Sequence, residues 1–189
     1  MKKIIIILFL AIVICSCQPI EKIDQVVFDN NQLAQFNIIS DSIEITENFE
    51  HKISNPYIGH TLKINPSQRI INWVNDNFKP IGNENYFNVT ILDASLTQIQ
   101  FENKEANNFN EKNNYKYELF YLVEYSLFDD YYNVLASTLV ETSRSTTSGL
   151  YISIHEKENI INDLIYQGLL DISNESEKLL SEYMGDFII

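Results

Sequence analysis

The sequence predicts an α+β fold, a two-layer sandwich in which a mostly antiparallel four-stranded sheet lies under one short helix and one long C-terminal helix. Three observations predict it. The elements run strand, helix, strand, strand, strand, helix. The later strands are joined by short links, and such strands pair antiparallel. Both helices carry a single apolar stripe, which has to cover an apolar sheet face. A body of this size buries roughly 70% of its unfolded surface, enough for a core. Its 45% apolar and 21% charged residues are ordinary for a globular chain.

Each element has its own signal. Phe36 to Phe49 holds Phe36, Ile38, Ile43 and Ile45 and reads as one strand with a phase break near Ser40, a bulge. Asn55 to Ile64 contains Pro56, Gly59 and His60 and reads as a loop. Asn65 followed by Pro66 is an N-cap with proline at the first helical position. Ile70, Ile71, Trp73, Val74 and Phe78 then share a helix face, and Lys79-Pro80 ends the helix. Tyr86 to Phe101 is a strand in which Phe87, Val89 and Ile91 alternate, Asp93 to Leu96 break the phase, and Ile99 and Phe101 resume it. Residues 102–114 are a polar, asparagine-rich connection.

Tyr115 to Leu127 is the clearest strand, with Tyr115, Tyr117, Leu119, Tyr121, Val123, Tyr125 and Leu127 on one side. That stripe reads as the core face of a central strand, with a ligand platform as the alternative. Asp129-Asp130 suits a turn. Tyr131 to Ser143 returns as a strand with Val134, Ala136 and Val140 on one face, and Arg144 to Gly149 reads as a Ser/Thr-rich loop. Ser153 with Glu156 is a capping box. The helix it opens carries Ile161, Leu164, Ile165, Gly168, Ile172, Leu179, Leu180, Tyr183 and Met184 at three- and four-residue spacing. A glycine within that face costs about 1 kcal/mol against alanine, so close packing over Gly168 is expected.

The opening residues carry the strongest signal. Lys2 and Lys3 precede an unbroken apolar run from Ile4 to Ile14, then Cys15-Ser16-Cys17. An eleven-residue run is short of the roughly 20 residues that cross a bilayer but fits a secretory leader. The expected organisation is a leader over 1–16, a lipidated Cys17 with a tether over 17–33, and one α+β domain over 34–189. Without Lys2 and Lys3, 26 acidic side chains face 11 basic ones, a net −15. No basic cluster offsets this charge, so nucleic acid is excluded as a partner. Cys15 and Cys17 are the only cysteines, so the body holds no disulfide, thiolate nucleophile or zinc–thiolate site.

No catalytic motif emerges. His51, His60 and His155 are far apart, and Asn159 stands where a zinc-binding His-Glu-x-x-His helix would need histidine. The five glycines never cluster into a phosphate loop. No metal, no cofactor and no enzymatic activity is expected. Asp93 and Arg144 are expected to form a structural ion pair, and His60 reads as a structural hydrogen-bonding residue.

Ile14 to Cys17 resembles the bacterial lipobox, which implies cleavage before Cys17 and acylation of it with palmitate-type chains. Gln18 in place of the aspartate that resembles an inner-membrane retention signal favours the outer membrane, facing the periplasm. From about residue 35 to 185, the ordered set His60, Trp73, Gly82, Ile91, Asp93, Ala94, Tyr115 and Arg144 resembles a group of uncharacterised lipoproteins found mainly in alphaproteobacteria. This chain is richer in Asn and Ile than that group and poorer in Pro and Arg in its loops. More remotely, the plan is similar to auxiliary lipoproteins of ABC-type lipid transport systems. That resemblance implies a non-enzymatic role in lipid transport or outer-membrane assembly, through an envelope protein partner or a lipid. His60, Trp73, Asp93 and Arg144 are its candidate structural or partner-contact residues. The alternative is a structural or interaction lipoprotein without a transport role.

Overall fold

The computed structural model describes residues 26–102 and 113–189. Its elements are β1 (Phe36–Ile38), β2 (Ser42–Glu47), α1 (Pro66–Asn77), β3 (Phe78–Pro80), β4 (Tyr86–Glu102), β5 (Asn113–Phe128), β6 (Val134–Gly149) and α2 (Ile154–Met184). The main sheet has the order β2-β4-β5-β6, and β1 and β3 form a small parallel sheet of their own. The two-layer α+β architecture with a mostly antiparallel four-stranded sheet is therefore present. The core lies between the helices and one face of that sheet.

The segment read as one bulged strand is two strands in two sheets. β1 pairs with β3, whereas β2 pairs with β4. The chain turns between them at Ser40, whose N–H donates to Ile38 O at 2.8 Å and whose carbonyl accepts from Gly82 N–H at 2.9 Å. A Cβ on Gly82 would stand 2.8 Å from Ser40 N, so the two backbones can meet only because residue 82 has no side chain. The C-terminus covers the other edge of β1, with Ile189 N–H donating to Asn37 O at 2.9 Å.

α1 begins as its cap dictates: Asn65 Oδ1 accepts from Gln68 N–H at 2.8 Å, and Pro66 occupies the first turn. It buries Ile70, Trp73 and Val74, and at Phe78 the chain passes directly into β3. The residue before Pro80 is barred from helical geometry, which favours this switch. Because α1 lies between β2 and β4 in the chain, the connection is a crossover, and β2 runs parallel to β4. Only β4, β5 and β6 follow the antiparallel, short-link rule.

β4 carries its bulge at Leu92, where the register with β5 slips between Ile91 and Asp93. Phe87, Val89 and Ile91 face the core before it, and Ala94 and Leu96 after it. The extra residue inverts the later phase, so Ile99 and Phe101 lie exposed on the other face instead of resuming the first one. The expected 102–114 connection falls, from 103 to 112, outside the described residues.

β5 is the central strand, and the side chains of Tyr117, Leu119, Tyr121, Val123, Tyr125 and Leu127 are all buried. Asp129 makes the next turn, its side chain accepting from Tyr131 N–H and Asn133 N–H at 2.9 and 2.8 Å. β6 starts at Val134 and continues to Gly149, so the stretch from Arg144 is strand and not loop. Ladder pairing up to Asn114–Gly149 holds it extended, and β-branched Thr146 and Thr147 suit it. Val140 is buried, but Val134, at the turn end, is exposed and does not face the core.

α2 is capped by Ser153, whose Oγ accepts from Glu156 N–H at 3.1 Å. It lies across β5 and β6, and the missing side chain of Gly168 admits Leu119 and Tyr121. Tyr183 falls off the buried stripe and is exposed. The tyrosine row of β5 is core, and each hydroxyl is tied to a different element. Tyr125 OH meets Ser176 Oγ of α2 at 2.8 Å, and Tyr117 OH meets Ser148 Oγ of β6 at 3.3 Å. Tyr121 OH donates to Pro66 O of α1 at 3.5 Å. Burial pushes the pKa of all three phenols up.

Candidate functional site

The free edge of β4 is covered by two different segments with an opening between them. β2 pairs along it as far as Ile91, where Asn48 N–H donates to Ile91 O at 2.9 Å. Farther on, Ile58 N–H donates to Leu96 O at 2.9 Å and Gln98 N–H to Pro56 O at 2.8 Å. Residues 92–95, which contain the bulge, have no neighbouring strand on this side among the described residues. A recess of about 170 Å³ opens there.

The loop after β2 supplies Phe49, Glu50, His51, Lys52 and Tyr57 to its wall. The 3-10 turn Gly59–Thr61 brings His60, the cap of α1 brings Asn65 and Pro66, and the bulge brings Asp93. Lys52 Nζ donates to Tyr57 OH at 3.0 Å and lies 4.7 Å from the centre of that ring. The Tyr57 hydroxyl, with Asp93 and Glu50 adding to it, holds the Lys52 pKa above its ordinary value. His51 Nε2 is 2.7 Å from Glu47 Oε1, and its ring packs on Phe49. Asp93 Oδ1 is buried and has no hydrogen-bond partner.

The recess thus presents an unfilled carboxylate acceptor beside an ammonium donor. A buried oxygen left unpaired costs about 1–3 kcal/mol, which a donor group from a bound partner would recover. A small polar side chain or the edge of an extended segment fits this chemistry. His60 is exposed and makes no hydrogen bond among the described residues, so no hydrogen-bonded general acid–base pair is assembled on it. The described residues contain no group of three or more His, Cys, Asp or Glu placed to hold a metal ion.

Of the residues singled out from sequence, the fold brings His60 and Asp93 to this one recess. Trp73 is wholly buried in α1, its Nε1–H donating to Ala34 O at 3.1 Å. Arg144 does not meet Asp93. It forms a two-pronged pair with Asp171 of α2, Nε to Oδ2 at 2.6 Å and the second nitrogen to Oδ1 at 2.9 Å. Asp93 is in register with Leu122, on the outer sheet face, whereas Arg144 is in register with buried Leu119. Two charges on opposite faces cannot pair. Cys17 lies outside the described residues. Lys52 and Tyr57 were not visible as site residues in sequence, because only the wrap of the 48–58 loop carries them to the bulge.

No family model matches this chain, and no curated protein does. Several solved structures are similar to it at low identity, among them the following three. A minor lipoprotein from Acinetobacter baumannii is 11% identical with a TM-score of 0.43, over 77% of this chain and 93% of that one. Rare lipoprotein B from Shewanella oneidensis is 10% identical with a TM-score of 0.35, over 74% and 97%. A homolog of neuraminyllactose-binding hemagglutinin from Helicobacter pylori is 10% identical with a TM-score of 0.39, over 79% and 92%.

Proposed function

We propose that this chain is a lipid-anchored lipoprotein of the bacterial envelope that acts by binding a protein partner and catalyses no reaction. The observation that carries the anchor is the leader: Lys2-Lys3, eleven apolar residues, then Cys15-Ser16-Cys17. Cys17 is the acylated residue, the body faces the periplasm, and Gln18 directs it to the outer membrane. Its role lies in lipid transport or outer-membrane assembly. The recess at residues 92–95 is the partner-contact site, with Asp93, Lys52 and His60 around it. Packing supports a protein partner over lipid carried inside. Gly168 lets α2 close directly onto Leu119 and Tyr121, which fills the layer between helix and sheet where an acyl chain would lie.

Two measurements test this. Mass spectrometry of Cys17 in protein purified from membranes should show the acyl chains, and Cys17→Ala should leave the chain unlipidated and unanchored. An unmodified Cys17 in the native chain refutes the anchor. A photo-crosslinker placed at His60 should capture a transport subunit or an outer-membrane protein in the cell. The same group at Leu139, exposed on the outer face of β6, should not. Equal capture from both positions, or none from His60, refutes the recess as the contact site.

A further inference from the structure

A second depression lies between the 61–64 segment and the opening turns of α2, with a volume of about 520 Å³. Its apolar wall includes Leu62, Ile64, Ile154 and Ile161. Lys63, Arg69 and Lys157 line it too. That is a strong local bias in a chain with twice as many acidic as basic residues, 26 against 13. None of the three forms an ion pair among the described residues, although Glu158 shares the lining. Arg69 Nε is buried with no hydrogen-bond partner. At the mouth, Ile154 is 79% exposed.

The position of Phe28, eleven residues after Cys17, adds a second, independent observation. Phe28 lies 3.4 Å below the Arg69 guanidinium carbon and edge-on to Tyr166. Cys17 to Gln25 is nine residues, a length that spans at most about 30 Å when extended. A membrane holding Cys17 is therefore within short reach of this depression.

We propose that the depression is a membrane-docking surface, in which Lys63, Arg69 and Lys157 receive the phosphates of anionic phospholipids in the membrane that holds the anchor, while Ile154 enters its interface. Cations flanked by exposed apolar side chains are what a monotopic surface contact needs. Among the described residues, this cluster of cations gives an otherwise acidic body a side by which it can approach an anionic surface. The proposal rests on the lipid anchor at Cys17 for its geometry and adds the orientation of the body.

The test uses the full processed chain, in which Cys17 is acylated and Cys15 removed, so that Ile154→Cys supplies the single free thiol. A polarity-sensitive fluorophore there is read in vesicles of phosphatidylcholine, with or without phosphatidylglycerol. The expected result is a severalfold brighter, blue-shifted emission with phosphatidylglycerol, abolished by Lys63→Glu with Lys157→Glu and by high salt. A label at Tyr131→Cys, at the opposite end of β6, should stay unchanged. Equal emission from the Ile154 label in both vesicles overturns the proposal, as does an equal rise at Tyr131. Mass spectrometry of Cys17 separates the two readings. If it carries no lipid, the anchor fails, and co-sedimentation of the chain with phosphatidylglycerol vesicles alone decides the docking surface: sedimentation supports it and its absence overturns it.

Discussion

Replacing Gly168 by alanine pits two known effects against each other, and the structure decides the sign. In an isolated helix the change would stabilise by about 1 kcal/mol. Here the new methyl would collide with Leu119 Cδ2 and touch Tyr121 Cε2 at 3.5 Å. Leu119 and Tyr121 are buried on the central strand, with α2 above and neighbouring strands on both sides, so neither has open space to move into. Overpacking a tight core costs about 1–3 kcal/mol. The net expectation is a loss of about 1 kcal/mol. Trp73 is the only tryptophan and is wholly buried, so its fluorescence reports unfolding of the core. The urea midpoint of Gly168→Ala should fall with an unchanged slope. In a Leu119→Ala background the same change should be neutral or stabilising, because the collision is gone. A midpoint that rises in the native background, or an equal loss in both backgrounds, refutes the close-packing argument.

The other predictions concern the polar contacts. Tyr125→Phe leaves the buried Ser176 hydroxyl without its 2.8 Å partner and should cost about 1–2 kcal/mol in the same assay, part of which Ser176→Ala restores. Burial raises the pKa of Tyr117, Tyr121 and Tyr125, so the folded state keeps phenolic protons that the unfolded state releases above the ordinary value of 10.0. The phenols' contribution to stability should therefore be complete below that value and be lost as pH rises above it; a flat urea midpoint across it refutes the assignment. Removing the Arg144–Asp171 pair, whose side chains are 41% and 35% exposed, should cost no more than about 1 kcal/mol. A double-mutant cycle between Arg144 and Asp93 should give zero coupling, and a measurable one would contradict the separation of the two faces.

What was legible in the sequence follows from how local each signal is. The caps Asn65 and Ser153 act within three residues, and both helices start where those residues say. The tyrosine row on β5 has strict period two and faces the core throughout. The parallel pairing of β2 with β4 was not legible, because it depends on a crossover through α1 and not on either strand's own pattern. The small β1–β3 sheet was hidden for the same reason, since three-residue strands carry no period. Arg144 to Gly149 has loop composition, yet β5 is long enough to hold it in the ladder. His60 and Asp93 were singled out separately, but their shared recess depends on a loop that crosses 33 residues of chain to reach the bulge.

A single extra residue, Leu92, accounts for three of the departures together. It shifts the register with β5 by one, so every later side chain of β4 changes face. Ile99 and Phe101 turn outward for that reason, and Ala94 and Leu96 take the core positions. The same shift sets Asp93 opposite Leu122 on the outer face, away from Arg144, which then finds Asp171 on α2. A bulge also bends the strand it sits in, and a bent edge is hard for one straight neighbour to follow. β2 stops at Ile91, the 56–58 segment resumes the pairing at Leu96, and the four-residue window between them becomes the recess. Deleting Leu92 would join Ile91 to Asp93 in unbroken alternation, with Ala94 and Leu96 still on the core face and Ile99 still outside, and would let an edge strand run through. The candidate site thus exists because the sheet is interrupted there, which is how an edge that would otherwise invite indiscriminate pairing becomes a short, chemically specific opening.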